Sequence, residues 1–259
     1  MNLVSFQQHI KQLNWPMVIF TMLVFSLLIK LGFWQSSRAL EKEQRLQRIS
    51  KLSQQQALSL AQVLAISGLQ DGINDLPVAL TGEFIADKIF LLDNQLNNGR
   101  LGYRVFQFMT HNQQAVLVNL GWVAGSVDRQ ALPEILPLTG QHTITGHIRE
   151  IEVGIQLQEQ DLTNVSWPLR IQQIELDKFS SFITQPLLPF VVYLDTKESI
   201  GFEKNWQPIV MPPEKHRAYA FQWFSLACAW LILMVWAAFK ASANERHLRD
   251  EDNTIIRKG

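Results

Sequence analysis

The stretch "EKHRAYAFQWFSLACAW", residues 214–230, turns from charged chain into an apolar run that has no acidic or basic side chain until Lys240. The uncharged residues 218–239 match the length of a membrane-spanning helix, which needs about 20 mainly apolar residues. The stretch therefore predicts a helix that enters a membrane near residue 218. It decides the fold class, because the chain before it must then be read as part of a membrane protein.

A second apolar segment lies near the start of the chain. Residues 15–29 carry no charge, and the segment extends to Trp34 if the Lys30 ammonium reaches the lipid headgroups, which gives about 20 residues. A cleavable signal peptide is the rival interpretation, since Ser37-Arg38-Ala39 weakly resembles a cleavage site. The apolar stretch is long for a signal peptide, so we favour an uncleaved anchor.

Composition agrees with a membrane protein. Apolar residues make up 47% and charged residues 18% of the chain, and there are 8 tryptophans, which membrane interfaces favour. Basic and acidic residues both number 23, so there is no basic excess to bind nucleic acid, and the expected partner is the lipid bilayer. The single Cys228 excludes an intramolecular disulfide and a two-cysteine copper site.

Two membrane helices divide the chain into five parts. We predict a tail over residues 1–14, a first membrane helix over 15–34, a folded domain over 35–217, a second membrane helix over 218–239 and a tail over 240–259. Both tails then lie on one side of the membrane. Basic residues are as frequent at the ends of the domain as on the tails, so charge counting does not assign that side.

The domain between the helices is predicted to be α/β, with an antiparallel sheet and amphipathic helices. Apolar residues recur near helical spacing from Leu46 to Leu64, which predicts a long amphipathic helix that continues the first membrane helix and ends at Gly68 or Gly72. The fold class is therefore a membrane-anchored α/β protein.

Short apolar runs separated by turn signals predict the sheet. Residues 82–94, 101–109 and 115–125 are interpreted as three strands, with turns at Asn98-Gly99 and at residues 111–113. Short connections of this kind indicate an antiparallel meander.

Four further elements are predicted after the meander. They are a short helix over residues 127–135, a strand over 142–153, an amphipathic helix over 170–183 and a last buried strand over 187–195.

Motifs of common enzymes are absent from the sequence. There is no nucleophile elbow, phosphate-binding glycine loop or HExxH zinc motif, so nothing favours an enzyme. His142 and His147 would point to opposite faces of one strand, because their separation is odd. Glu150 and Glu152 would share a strand face, but their polar context indicates solvated surface.

The residues that lead into the second membrane helix are the best candidates for a site. His216, Tyr219, Gln222 and Trp223 are spaced by three, three and one residues, which places them near one helix face at the membrane surface. Two interpretations stay open here. The residues could form an aromatic belt at headgroup level, or they could contact haem or a partner, since imidazole is a strong iron ligand.

Several stretches resemble one known family. The opening stretch and "LGFWQSSRALEKEQRL", residues 31–46, resemble the two membrane-helix signatures of the Surfeit-locus protein one (Shy-type) family, the cytochrome c oxidase assembly factors. "VLVNLGWV" at 116–123 and "WPLRIQQIELD" at 167–177 resemble its central pattern, although Leu120 stands where many members have an arginine. The resemblance covers nearly the whole chain.

The resemblance implies a function as well as a location. It implies a multi-pass protein of the bacterial inner membrane with the domain in the periplasm and both termini in the cytoplasm. The implied role is assembly of haem-copper oxidase by binding rather than catalysis, with oxidase subunit I and haem A synthase as partners and haem a as the cofactor that is delivered. His216 is then the candidate iron ligand, with Tyr219 and Trp223 as packing partners.

A different class of protein stays as the alternative. Two membrane helices around an external domain are also typical of envelope sensors and scaffolds that bind no haem. The tail after Lys240 is short for a signalling domain, and the strand-rich middle differs from a coiled-coil scaffold.

Overall fold

Two long helices and a strand-rich domain are the two units of the chain. A computed structural model describes residues 15–67, 72–126, 128, 131–151 and 165–256, with the backbone alone over 242–256. One unit contains the chain up to Leu46 and from Ile209 onward, and the other is Gln47–Pro208. In chain order the elements are α1 (Trp15–Leu52), β1 (Leu58–Ser59), α2 (Leu60–Ser67), β2 (Pro77–Asn97), β3 (Arg100–His111), β4 (Gln114–Ala124), β5 (Gly140–Glu150), β6 (Leu169–Ile171), α3 (Leu176–Phe179), a 3-10 helix (Ser180–Phe182), β7 (Leu187–Leu194) and α4 (Pro213–Ile256).

Helices α1 and α4 contain the two predicted membrane segments. Each is long and apolar enough to cross a membrane. Their apolar side chains are largely exposed around the helix, including Leu23, Phe33, Phe221 and Phe239. A soluble helix normally hides such residues on one face, so exposure on many sides is the pattern expected of a surface that meets lipid.

The two long helices pack antiparallel to each other. The Trp230 indole donates to the carbonyl of Thr21 across the pair, at 3.3 Å. Phe224 meets Phe33 edge to face further along, with ring centroids 5.4 Å apart. The contact face carries small buried residues, among them Ala227, which let two backbones approach as in membrane helix pairs.

The domain is built on a sheet that closes on itself. Strands β2, β3, β4, β7 and β5 pair in that order, and β5 pairs back with β2. Around this closed set the pairings are antiparallel except for β4 with β7, and β1 and β6 also pair with β2 in parallel. The sheet is therefore mixed, and the prediction of an antiparallel sheet was correct only for the other pairings. Closure is possible because β2 is 21 residues long and pairs with β5 through its first part and with β3 through its second.

Alternation along the strands divides the buried side chains into an inner and an outer core. The inner core has Val105, Val118 and Val192 at its centre, all fully buried. Gln107 is also fully buried there: its amide donates to the carbonyls of Ile85 and Leu138 and accepts from the Leu138 amide. Leu120 also belongs to this core, where its side chain packs among other apolar residues.

The outer core lies on the opposite face of the strands. Phe90 is fully buried there; it stacks on Phe179 at 4.4 Å between ring centroids and meets Phe108 and Trp167 edge to face. Residues from the segment 165–186 thus cover the outside of the sheet, because β6 pairs with β2 and brings α3 with it.

Strand predictions were confirmed in the described residues. The meander of β2, β3 and β4 is present, and the turns at Asn98-Gly99 and Asn112-Gln113 use positive φ, as tight hairpins require. The last buried strand is β7, and β5 contains the described part of the strand predicted over 142–153; residues 152–164 lie outside the described residues.

The helix predicted to continue the first membrane helix from Leu46 to Leu64 was confirmed as far as Leu52 and was wrong beyond that residue. Helix α1 ends at Leu52, and β1 pairs with β2 before α2 begins. Ser59 and Gln62 start that new helix as a capping box: Gln62 N–H donates to Ser59 Oγ, and Ser59 N–H donates to Gln62 Oε1. Helix α2 ends at Ser67, and Gly68 lies outside the described residues.

Two further helix predictions were also wrong. Residues 131–135 are not helical, because Pro133 has no amide to donate and disfavours helical backbone before it; residues 127, 129 and 130 lie outside the described part. Residues 170–183 form no single helix, because 169–171 pair as β6 with β2. Only the four residues of α3 and the 3-10 helix remain helical there.

Candidate functional site

His216 occupies the first turn of α4 and faces α1. Its Nδ1 lies 2.7 Å from Oε1 of Gln35, a residue 181 positions away in the sequence. His216 is only 8% exposed. Its Nε2 makes no hydrogen bond with any residue that the structure describes, so one ring nitrogen is held by the neighbouring helix and the other is unbonded.

Contacts on both sides hold this pair of side chains in place. A Cβ on Gly32 would lie 2.5 Å from Cε1 of Phe224, so the absence of a side chain there lets the helices approach. On the other side, Arg217 Nη2 donates to Glu43 Oε2 at 2.6 Å. Gln35 and His216 therefore lie between an apolar contact and an ion pair that both link the same two helices.

The other predicted site residues have different surroundings. Tyr219 is 44% exposed and Gln222 is exposed, whereas Trp223 is half-buried. No ring contact joins His216, Tyr219 and Trp223 among the described residues. The structure therefore brings His216 to α1 and leaves Tyr219 and Gln222 on the outer side of α4.

The number of protein ligands near His216 decides which kind of metal centre could bind there. The described residues contain no group of three or more His, Cys, Asp or Glu side chains that could hold an ion, and Cys228 is exposed. A bare zinc or copper ion needs about three or four protein ligands. Haem iron already has four porphyrin nitrogens and needs one axial imidazole. The described residues around His216 therefore offer the single axial ligand that a haem iron would need, and too few ligands for a bare ion.

The domain carries a second concentration of polar and aromatic side chains, on the outer face of β7 and β5. The His147 ring lies 4.2 Å from the Trp206 ring and 5.7 Å from that of Tyr193. Arg149 lies over the Trp206 ring at 5.3 Å and pairs with Asp75 at 3.0 Å. Most of these groups have partners within the cluster, which is the pattern of a packed surface network.

The pKa values of three groups in and beside this cluster, Asp195, Tyr193 and Arg104, are shifted by their surroundings. The nearby His147 lowers the pKa of the Asp195 carboxyl, with their N and O atoms 3.8 Å apart. Burial raises the pKa of the Tyr193 phenol, an effect that the Arg104 guanidinium opposes. Loss of solvent lowers the pKa of Arg104 itself.

The sequence did not point to all of these residues. His142 and His147 face opposite sides of β5 as predicted: His142 meets Phe84 on the inner side, and His147 meets Tyr193 on the outer side. Gln35 was not predicted as a partner of His216, although a polar side chain at the end of an apolar helix was a signal.

Fold and site together define a class of protein. Its chain forms a long apolar helix, then a closed mixed sheet, then a second long apolar helix that packs antiparallel to the first and begins with a histidine bonded to it. A family model described as the SURF1 family matches residues 22–228 of the chain. The chain belongs to the SURF1 family, a family of cytochrome c oxidase assembly factors. Membership implies a role in cytochrome oxidase assembly.

Named relatives agree with this assignment. The chain is 27% identical to a SURF1-like protein of Rickettsia conorii, over 82% of this chain and 87% of the relative. It is also 27% identical to one of Rickettsia felis, over 83% and 93%. A third, from Rickettsia bellii, is 25% identical over 88% and 92%. The family match over residues 22–228 includes most of α1, the domain and the first part of α4.

Proposed function

We propose that this protein assists delivery or insertion of haem a into subunit I of a haem-copper oxidase, and that His216 is the ligand of the haem iron while the haem is carried. The observation that carries the proposal is the imidazole of His216, which is bonded to Gln35 at Nδ1 and has no hydrogen bond at Nε2 from the residues that the structure describes. Haem a is the cargo here, and its iron supplies the coordination site that the imidazole would fill.

Apolar surface next to His216 supports the binding of a porphyrin. Trp223 is half-buried two turns further along α4, and Tyr219 lies exposed one turn along. Aromatic faces pack favourably on flat π-systems, and an apolar porphyrin ring leaves water when it meets them. These two residues are proposed as the packing partners of the porphyrin ring.

The two apolar helices and the family support a location in the membrane. Both apolar helices would cross the bacterial inner membrane, with both termini in the cytoplasm and the domain of residues 47–208 in the periplasm. Antiparallel packing of α1 and α4 supports placing both termini on one side. The domain would contact oxidase subunit I, and haem A synthase would be the donor of haem a.

A complementation experiment tests the role in cells. A strain that lacks the gene would receive the wild-type protein, His216→Ala or the control Ser225→Ala, which changes an exposed side chain on the same helix. We expect His216→Ala to lower the haem a content and oxidase activity of membranes, at equal amounts of the assembly factor. Normal oxidase in the His216→Ala strain would exclude the ligand role.

A further inference from the structure

The contact of Gln35 with His216 has a chemical consequence for the imidazole. Oε1 of Gln35 is a carbonyl oxygen and can only accept a hydrogen bond. At 2.7 Å from Nδ1 it therefore requires a hydrogen on Nδ1. A neutral imidazole with its hydrogen on Nδ1 has its free electron pair on Nε2, and metals bind that form of histidine.

Gln35 is held well enough to act in this way. It is half-buried in α1, and His216 is 8% exposed. The approach of the helices at Gly32 and Phe224 fixes their spacing one turn before Gln35. The amide therefore meets the imidazole from one direction, with little freedom for the ring to rotate.

We infer that Gln35 is a positioning residue for the proposed haem ligand: it fixes the His216 ring with Nδ1 protonated and directs the Nε2 electron pair away from α1. This inference rests on the proposed function for its haem-binding consequence, but the hydrogen on Nδ1 is a property of the protein without haem. Partners of this kind raise the basicity of a ligating histidine, and their loss weakens metal binding by about 10–100-fold.

Two variants of Gln35 separate positioning from a merely structural role. Gln35→Leu keeps the approximate size of the side chain and removes the acceptor. Gln35→Glu keeps an acceptor and makes it charged, which gives the imidazole more electron density. Gln44→Leu is the matched control, because Gln44 is exposed on the same helix and the chemical change is the same.

The first readout needs no haem. Full-length protein labelled with ¹⁵N in its 6 histidines would be purified in detergent, and the His216 signals assigned by their loss in His216→Ala. We expect Nδ1 to be protonated and Nε2 unprotonated at a pH where the ring is neutral. Gln35→Leu should lose this fixed form, whereas Gln44→Leu should keep it. A wild-type His216 that is protonated on Nε2, or one unchanged by Gln35→Leu, would overturn the inference.

The second readout uses haem a added to the same purified proteins. We expect Gln35→Leu to bind about 10–100-fold more weakly than wild type, and Gln35→Glu to retain haem with a lower iron reduction potential. If wild type binds haem through His216 and both variants match its affinity and potential, this inference alone is overturned. If wild type binds no haem, the proposed function is overturned, and the NMR result still decides whether Gln35 fixes the ring.

Discussion

The substitution Phe90→Ala tests whether segment 165–186 is held to the sheet by the outer core. The Phe90 ring is fully buried and contacts Phe179, Phe108 and Trp167, with centroid separations of 4.4, 5.3 and 5.1 Å. Removal of a buried phenylalanine ring costs about 3–5 kcal/mol, from lost transfer free energy and from the cavity that remains. For a domain of this size, each kcal/mol lowers the melting temperature by about 2–4 °C.

We therefore expect Phe90→Ala to lower the melting temperature of the domain by roughly 6–20 °C. Thermal unfolding in detergent, followed by near-ultraviolet circular dichroism, would measure it. Leu136→Ala is the control, because Leu136 is 85% exposed and its loss should change the melting temperature little. Limited proteolysis should also cut residues 165–186 faster in Phe90→Ala. A shift no larger than that of the control, with unchanged proteolysis, would refute the packing argument.

Three further substitutions test the domain. Asp195→Asn should make the stability of the domain less sensitive to acid pH. His147 holds the pKa of the Asp195 carboxyl below its ordinary value of 3.8, so this stabilisation is complete above that value and is lost as pH falls through the folded-state pKa. Identical acid unfolding curves for the variant and the wild type would contradict this. Gly146→Val should prevent folding, since a Cβ would run into the carbonyl oxygen of Tyr193 on the paired strand, and a wild-type yield of protein with unchanged melting would contradict it. Gln107→Leu should destabilise by about 1–3 kcal/mol for each buried backbone group that it leaves unpaired, measured by urea unfolding; a loss under about 1 kcal/mol would show that those groups find other partners.

Local sequence signals predicted the parts of the fold that depend on neighbouring residues. The hairpin at Asn98-Gly99 was predictable because both residues accept positive φ and a strand-like apolar run lies on each side of the turn. The start of α2 was equally local, since Ser59 and Gln62 form a capping box, but the apolar periodicity through that region led to one continuous helix.

Long-range pairing could not be predicted in the same way. Closure of the sheet requires Val78 to pair with Gly146, and no local pattern specifies which distant strands will meet. Residues 170 and 171 were predicted as part of a helix, but residues 169–171 form a strand because their pairing with β2 overrides the local preference. The partner of His216 is of the same kind, because the contact with Gln35 depends on the register of two helices whose residues lie 181 positions apart.

One spectrum tests the central claim most directly. The full-length protein and His216→Ala would be produced in cells that make haem a, purified in detergent in the same way, and compared by absorption spectroscopy with Ser225→Ala as the control, since Ser225 is exposed on the same helix. We expect haem a bands in the wild type and in Ser225→Ala, and their loss in His216→Ala at equal protein concentration. Equal haem a in all three proteins, or none in any of them, would contradict the assignment of His216 as the haem ligand.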